Sequence, residues 1–327
     1  MRKKYRSHLD LNQNTKKYLM IYPISYSFPA ESIVPYISFK TEHTAKHLYQ
    51  FEKSEDYLKN YRNSFFGMTQ KRAGWDCLRH YEILSQGTIP HFTNLENLPL
   101  KTMVNFPKEL VIHLNKKYYH KSLEEIYKEP SSIVYNDLDG LLQYTKEHLT
   151  TEETANYLLE KSKHESAKEI LLLTNLLPTE SDYLLSLTTH GFKQLFKGKI
   201  DCYPEFDYHY TSFPVEETKK MYGRGFNYTR FLPDHYKSIR TKSEIEKKVQ
   251  RHEYDCIFLF FDEYSDENVP IDILKWYKHN EIAVICGKDC NPMPDKVPGG
   301  WITQDTHTCN LTAIGDLQTL FIRELGY

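Results

Sequence analysis

Apolar residues occur along this chain in two alternating patterns, short continuous runs and longer stretches in which every third or fourth position is apolar. Short runs are typical of buried strands, and the wider spacing is typical of helices that cover a sheet. In the first half, runs at 18–24, 64–68 and 110–114 predict strands, and the spacing at 54–61, 137–149 and 151–163 predicts helices. The order of these elements indicates an α/β fold.

The second half repeats this alternation after a polar, charged segment at 161–168. Runs at 169–174, 200–203, 255–261 and 281–286 predict strands, and the spacing at 183–196, 242–252, 271–279 and 311–325 predicts helices. A chain of 327 residues is also too long for one small core. We therefore expect two Rossmann-like domains, 1–163 and 164–327, that face each other across a cleft, with the closing helix at 311–325 packed at that cleft.

Residues 74–90 combine a helix, a glycine stop and the beginning of a strand. Gly74 precedes the helix, and Gly87 supplies the left-handed residue that commonly ends one. Residues 88–89 then resume as strand, and Pro90 is expected to end the pairing. One face of this helix is apolar, which predicts a contact with the core.

A polar stripe lies on the opposite face of the same predicted helix. Trp75, Arg79, Glu82 and Gln86 recur there at helical spacing. A helix N-terminus and a guanidinium attract a phosphate, and a carboxylate accepts hydrogen bonds from a diol, so the stripe fits a site for a phosphate and a sugar. An ordinary amphipathic helix with an Arg–Glu surface pair fits the same spacing.

A basic turn precedes this helix. Lys71 and Arg72 follow the predicted strand at 64–68, and the order strand, turn, helix and strand is that of a βαβ unit. Ligands of such sheets bind at the carboxyl ends of the strands. The mouth of a site is therefore expected to hold Lys71, Arg72, Gly74 and Trp75. A solvated turn is the alternative for the two basic residues.

Three polar residues of the second half are candidates for the chemistry of the same cleft. Asp182 begins the predicted helix at 183–196 and His190 lies within it, and either side chain is of a type that deprotonates hydroxyl groups. Asp182 fits a helix cap equally well, and His190 fits a core position. Arg224 lies between two glycines, where it either reaches a phosphate or belongs to a structural turn.

Composition argues against two classes of protein. The net charge is −2, so no basic surface for nucleic acid is expected. The longest strongly apolar run, 256–261, is far too short to span a membrane, and no signal-peptide core follows the basic start. Six cysteines without framework spacing are expected to be reduced thiols and not metal ligands. We therefore expect a soluble cytoplasmic protein.

The run 74–90 resembles the donor-binding signature of exostosin-like glycosyltransferases. In that signature an arginine and, three residues later, a glutamate precede a Gly-Cys-Ile-Pro strand, and Arg79, Glu82 and the residues 87–90 hold these positions here. The pieces 66–69 and 74–84 are similar to glycosyltransferase-like proteins of large DNA viruses and some bacteria. Pieces of the second half resemble the same group, at 182–184, 189–192, 222–226 and 287–289.

The chain departs from the family pattern in two respects. Thr88 replaces the cysteine of the Gly-Cys-Ile-Pro strand, which exchanges one small residue for another. The donor-like motif also lies in the first half, whereas the donor domain of ordinary GT-B enzymes comes second. The domain order is therefore expected to be permuted.

The resemblance implies a GT-B-like enzyme that transfers a sugar from a nucleotide-diphosphate sugar to a hydroxyl of a glycan or glycoprotein. Glu82 would hold the ribose hydroxyls, and Arg79 with the amides near Gly74 would neutralise the diphosphate, which requires no metal cofactor. Lys71 and Arg224 are expected to contact the donor as well, and Trp75 to stack on its base or close the pocket.

The family analogy favours inversion of the anomeric centre. The alternative is a non-catalytic module that binds nucleotides or glycans, or a degenerate transferase. A dehydrogenase or an epimerase is disfavoured because no Gly-x-Gly-x-x-Gly follows either first strand.

Overall fold

The computed structural model describes residues 20–46, 51–261, 270–273, 275–287 and 319–324. The strands in these ranges are β1 (Met20–Pro23), β2 (Glu42–Thr44), β3 (Ser64–Thr69), β4 (Ile89–Phe92), β5 (Ile170–Thr174), β6 (Asp201–Tyr203), β7 (Cys256–Phe261), β8 (Ile282–Cys286) and β9 (Thr319–Ile322). The α-helices are α1 (Ser54–Arg62), α2 (Leu78–Ser85), α3 (Lys108–Tyr118), α4 (Leu123–Tyr127), α5 (Ser131–His148), α6 (Thr151–Ser162), α7 (Tyr183–Leu195), α8 (Val215–Thr218) and α9 (Lys242–Gln250), and short 3-10 helices also occur in these ranges. None of these helices is long and apolar enough to cross a membrane.

Six strands form one parallel sheet in the order β1-β9-β8-β7-β5-β6. β7 pairs with β5 on one side and with β8 on the other, so that Phe258 lies between Leu172 and Ala283. β5 and β8 are buried at every position, as is typical of parallel strands covered on both faces. The strands predicted for the second half of the chain are confirmed, each to within one residue at its ends.

Three strands form a second, smaller parallel sheet in the order β2-β3-β4. In the pairing of β3 with β4, Gly67 lies opposite Pro90 and Thr69 lies opposite Phe92. The prediction that Pro90 ends the pairing is therefore wrong. β4 is an edge strand, where no further strand requires a proline N–H group, so the ladder continues past Pro90.

One apolar core extends between the two sheets. It includes Phe66 of β3, Tyr81 of α2 and Phe258 of β7. Leu172 of β5 points into this core, whereas Leu171 points into a second core on the opposite face of the larger sheet. Successive strand residues face opposite sides of a sheet, so the larger sheet has an apolar layer on each face.

The pairing of the strands does not follow the predicted division at 163–164. β1 pairs in parallel with β9, so the larger sheet takes strands from near both ends of the chain. α6 packs against α7 so closely that a Cβ atom on Gly191 would lie 2.0 Å from the carbonyl oxygen of Thr151. The elements from β2 to α5 therefore lie, along the chain, between β1 and α6. We call β1 together with the elements from α6 to β9 the larger body, and the elements from β2 to α5 the smaller body.

Three predicted elements differ in the described residues. The run 110–114 lies within α3, whose buried residues Val111, Leu114 and Tyr118 recur at helical spacing. No α-helix forms in the described part of 271–279, where only a short 3-10 helix begins at His279. Residues 319–322 of the predicted closing helix are strand β9, because they extend the buried ladder beside β8, and residues 311–318 lie outside the described ranges.

The cysteines match the expectation of reduced thiols only in part. Cys77, Cys202 and Cys256 are free, but Cys286 is disulfide-bonded. The expectation is therefore wrong for Cys286. Cys290 and Cys309 lie outside the described ranges.

We predict that Gly191→Ala destabilises the protein by about 1–3 kcal/mol or more, because the added methyl group overlaps the Thr151 carbonyl of α6. Gly140→Ala is the matched control, since Gly140 is exposed within α5 and a Cβ atom there meets nothing within 4 Å. It should stabilise the protein by about 0.5–1 kcal/mol through the helix preference of alanine. Urea unfolding measures both changes, and equal effects of the two variants would contradict the close packing of α6 on α7.

Candidate functional site

A cleft of about 980 Å³ opens between the two sheets. It lies where the strands end: Thr69 closes β3, Gly287 follows β8 and Arg323 follows β9. The other lining residues are Tyr26, Phe51, Tyr57, Gln70, Arg72, Ala73, Gly74, Asp76, Cys77, Leu78, Arg79, Glu82, Ser181, Asp182, Tyr183, Tyr222, Gly223, Arg224 and Phe226. Carboxyl ends of parallel strands are where α/β proteins bind their ligands, so this cleft is the candidate site.

The segment between β3 and α2 is a loop and not the first turn of a helix. The sequence prediction started the helix just after Gly74, but α2 begins at Leu78 with Cys77 as its N-cap residue. The other end was predicted correctly, because Gly87 follows α2 with a left-handed φ of 61°. Trp75 therefore lies in the loop and does not share a helical face with Arg79.

Buried polar contacts hold this loop in place. The Asp76 carboxylate accepts hydrogen bonds from the Tyr26 amide and the Tyr81 hydroxyl, each at 2.8 Å. The Asp76 amide donates to Glu324 Oε1 at 2.8 Å, and Arg323 Nη1 donates to the Asp76 carbonyl at 2.7 Å. The loop is thus fixed to the ends of β1 and β9 and to α2.

Arg323 and Glu324 form a buried pair at the floor of the cleft. Arg323 Nε donates to the Gly287 carbonyl at 2.8 Å, and Nη1 lies 3.1 Å from Glu324 Oε1. Burial raises the pKa of Glu324 to about 7, although the Arg323 charge acts in the opposite direction. The Glu324 carboxyl group therefore gains or loses its proton near neutral pH.

Glu82 lies on the opposite wall of the cleft, with only 7% of its surface exposed. The Tyr57 hydroxyl donates to Glu82 Oε2 and Asn227 Nδ2 donates to Oε1, each at 2.6 Å. Burial raises the pKa of Glu82, while these hydrogen bonds and the charge of Arg79 lower it in part. Both carboxylate oxygens thus already have a protein donor.

Only some residues of the polar stripe predicted from helical spacing lie at the cleft. Arg79 and Glu82 line the cleft. Gln86 does not: it is buried beside α1, where its Oε1 accepts hydrogen bonds from Arg62 Nε at 3.1 Å and Nη2 at 2.9 Å. Only the first turns of α2 therefore contribute to the site.

Gly74 lines the cleft, whereas Trp75 and Lys71 are not among the residues that line it. Lys71 Nζ lies 5.3 Å from the centre of the Trp75 ring. The Trp75 ring also contacts Phe92, with centroids 6.0 Å apart. The structure thus places Trp75 against protein side chains, and the expectation that it stacks on a base gains no support from its position.

Asp182 and His190 have different surroundings. Asp182 lines the cleft and caps α7, because its Oδ1 accepts a hydrogen bond from the Leu185 amide at 2.7 Å. His190 is fully buried, with Nε2 2.8 Å from Glu31 Oε1 and Nδ1 2.8 Å from Thr151 Oγ1. It is not among the residues that line the cleft, so the structure brings Asp182 to the site and leaves His190 in the core.

Arg224 reaches the cleft from an unusual backbone conformation. Its φ is 59°, and the neighbouring Gly223 and Gly225 have φ values of 57° and 69°. Left-handed backbone is unfavourable for a side chain such as arginine, so the surrounding contacts must hold it. Arg224 therefore belongs to a tight turn and also lines the cleft, so the structural role and the phosphate contact considered from the sequence do not exclude each other.

Charged side chains of both signs line the cleft: Arg72, Arg79, Arg224 and Arg323 together with Asp76, Glu82 and Asp182. Guanidinium groups bind phosphate through two parallel hydrogen bonds, and carboxylates accept hydrogen bonds from hydroxyl groups. The arrangement therefore suits a ligand that carries both anionic groups and hydroxyl groups.

No group of three or more His, Cys, Asp or Glu side chains in the described residues is arranged to hold a metal ion. The expectation that no metal cofactor is needed stays a prediction.

Comparison with protein-family models, with curated proteins and with solved structures finds no match to this chain. The resemblance of residues 74–90 to exostosin-like enzymes, and the activity it implies, therefore stay predictions.

Several residues of the site were not found from the sequence: Tyr57, Asp76, Asn227, Arg323 and Glu324. The pair at 323–324 offered a signal, because two charges directly follow the apolar run at 319–322. Asp76 offered another, since it lies inside the motif at 74–90. Nothing in the local sequence marks Tyr57 or Asn227, whose roles depend on contacts across the fold.

We predict that the Glu324 carboxyl makes the protein less stable as pH rises from 4.5 to about 7. In this window the folded chain holds the proton and the unfolded chain has released it, so the free energy of unfolding falls with pH. Glu324→Gln should remove this part of the decline in urea unfolding at pH 5, 6, 7 and 8. Glu96→Gln, at an exposed position, is the control. A constant difference between wild type and Glu324→Gln at all four pH values would contradict the prediction.

Proposed function

We propose that this chain is a glycosyltransferase that uses a nucleotide-diphosphate sugar and transfers the sugar to a hydroxyl of a glycan or glycoprotein. The observation that carries the proposal is one cleft in which the carboxyl ends of two parallel sheets meet, with Arg79 and Glu82 on the same wall. In a GT-B-like arrangement the body around the smaller sheet binds the donor, and the body around the larger sheet binds the acceptor.

On the donor side, Arg79 and the amides of the loop at Gly74 bind the diphosphate. Their positive charge stabilises the leaving group as the glycosidic bond breaks, which is the role of a metal ion in other transferases. Glu82 accepts hydrogen bonds from the ribose hydroxyls. Its position on α2 supports this role, because Arg79 and Glu82 lie one turn apart and both line the cleft.

On the acceptor side, Asp182 accepts the proton of the attacking hydroxyl. Among the described residues it is the carboxylate of the larger body that lines the cleft, at the end of the loop that follows β5. His190 has no part in this proposal because its ring is buried away from the cleft. With Asp182 as base the acceptor attacks the anomeric carbon directly, which corresponds to inversion.

A binding module without turnover is the second candidate. The observation that favours it is that Asp182 already has a structural task as the cap of α7. If Asp182 only caps α7, the described lining of the larger body offers no carboxylate base, and the protein would then bind nucleotide or glycan without reaction.

We predict that one nucleoside diphosphate among UDP, GDP, CDP and ADP raises the thermal unfolding midpoint. Ligand at a hundred times its Kd adds about 2.7 kcal/mol to the free energy of unfolding. Arg79→Ala should weaken that binding roughly ten- to a hundredfold, the usual value of a charge-assisted hydrogen bond. Arg251→Ala, at an exposed site, is the control. Absence of a shift with all four nucleotides, or equal affinity of Arg79→Ala, would remove the basis for the donor site.

We predict that Asp182→Asn preserves stability but lowers turnover about 10²- to 10⁴-fold, the typical contribution of a general base. Asparagine caps helices as well as aspartate does, so the substitution separates the two roles of the residue. Release of nucleoside diphosphate from the corresponding sugar nucleotide measures turnover, and calorimetry checks that nucleotide affinity is unchanged. Full turnover in Asp182→Asn would assign Asp182 to the cap alone, and no turnover in wild type would favour the binding module.

A further inference from the structure

Segment 222–227 crosses the cleft from the larger body to the helices of the smaller one. Asn227 Nδ2 donates to Glu82 Oε1 of α2 at 2.6 Å, and Ser54 Oγ of α1 donates to Asn227 Oδ1 at 2.7 Å. The Phe226 ring stacks on the Tyr57 ring with centroids 6.0 Å apart. The far end of the segment is therefore docked on α1 and α2, next to Glu82.

The residues on both sides of the docked pair 226–227 are anchored in the larger body. The Tyr222 and Tyr228 rings contact the Tyr183 ring of α7, with centroids 5.8 Å and 4.5 Å apart. Local bonds join these flanks: Thr229 Oγ1 donates to the Gly225 carbonyl at 2.7 Å, and the Tyr228 hydroxyl donates to the Tyr222 carbonyl at 2.8 Å. Residues 226–227 can thus leave α1 and α2 while the residues on either side stay folded.

The backbone of the segment is held in an unfavourable conformation. Gly223, Arg224, Gly225 and Asn227 all have left-handed φ values, between 57° and 69°. Glycine and asparagine adopt this conformation readily, but arginine does so at a cost. Such backbone persists where surrounding contacts hold it, and the docking of Asn227 on Glu82 is one of these contacts.

Asn227 occupies the carboxylate oxygen that faces the segment. Tyr57 holds the other oxygen, and only 7% of Glu82 is exposed. A carboxylate oxygen can accept more than one hydrogen bond, but so little of Glu82 is exposed that the asparagine amide and a sugar hydroxyl compete for the same approach to Oε1. A ligand hydroxyl gains full access to Oε1 only when Asn227 moves away.

We propose that segment 222–227 is a gate, in which Asn227 takes the place of a ligand hydroxyl on Glu82 until a nucleotide displaces it. The identity of the displacing ligand rests on the proposed function, whereas the closing contact does not. A closed gate lowers the apparent affinity in proportion to the fraction of molecules that are open. Binding and opening are therefore coupled, and weakening the contact strengthens binding.

The closing contact is tested first, without ligand. Asn227→Gly removes the amide and keeps a residue that tolerates the left-handed backbone. Hydrogen exchange of the peptide that covers 222–227 should accelerate about tenfold, the factor expected for the loss of a hydrogen bond to a charged group. Ser54→Ala, which removes the hydrogen bond from α1 to Asn227, should accelerate exchange in the same peptide.

Asn94→Gly is the matched control. Asn94 has a φ of 65°, is exposed, and makes no capping hydrogen bond with its side chain. The substitution is thus chemically identical and occurs in the same backbone conformation outside the cleft. It should leave exchange at 222–227 unchanged. Unchanged exchange in Asn227→Gly and in Ser54→Ala would overturn the gate, whether or not any nucleotide binds.

The coupling to ligand is tested by calorimetry with UDP, GDP, CDP and ADP. Asn227→Gly should lower the Kd of the bound nucleotide about tenfold relative to wild type and to Asn94→Gly. An equal or higher Kd in Asn227→Gly would overturn the competition between Asn227 and the ligand while leaving the donor site intact. If none of the four nucleotides binds wild type or variant, the proposed function fails, and the hydrogen exchange result still decides whether Asn227 closes the cleft.

Discussion

The rest of the structure depends on the hydrogen bonds of one buried residue, Asp76, which join parts of the chain that are far apart in sequence. Asp76 uses its carboxylate, its amide and its carbonyl to bind Tyr26, Tyr81, Glu324 and Arg323, and only 2% of its surface is exposed. Buried charges are tolerated only when they are paired and hydrogen-bonded, and the loss of one partner is costly. This contact therefore fixes the loop before α2 against the ends of β1 and β9, and so sets the distance between the two sheets at the floor of the cleft.

The parts of the fold that could be predicted from the sequence are those whose information is local. β5, β7 and β8 are continuous apolar runs, and Gly87 and Thr150 mark helix ends by their own backbone and side-chain preferences. A run of five apolar or partly apolar residues such as 110–114 fits a helix and a strand alike, so its assignment required the neighbours that it packs against. The pairing of β1 with β9 joins strands about 300 positions apart, and no local pattern distinguishes such a partner from others.

The candidate site, too, could be predicted only where the information is local in the sequence. Gly74, Arg79, Glu82, Asp182 and Arg224 were expected at one cleft and do line it, because parallel strands place the loops at their carboxyl ends together. Trp75 was assigned to the site on the assumption that the helix begins before it. Since α2 begins three residues later, at Leu78, the tryptophan turns towards Phe92. His190 lies about two turns into α7, and a helix that packs on α6 buries that position. Helical spacing alone does not reveal which end of a helix opens on a cleft.

The two buried carboxylates of the cleft, Asp76 and Glu82, differ in which parts of the fold supply their hydrogen-bond donors. Both carboxylate oxygens of Asp76 accept hydrogen bonds, one from the Tyr26 amide and one from the Tyr81 hydroxyl of α2, so a ligand hydroxyl could replace a partner only by breaking a contact that fixes the loop before α2. Glu82 has one partner on a neighbouring helix and one on segment 222–227, which meets the helix only at its tip. While the cleft is empty, the hydrogen bond from Asn227 holds the Glu82 carboxylate in position. It also avoids the cost of a buried carboxylate oxygen without a donor. Exchange of that single partner for a ligand donor conserves the number of hydrogen bonds to the carboxylate, and for this reason Glu82, and not Asp76, is the carboxylate suited to recognise a hydroxyl group.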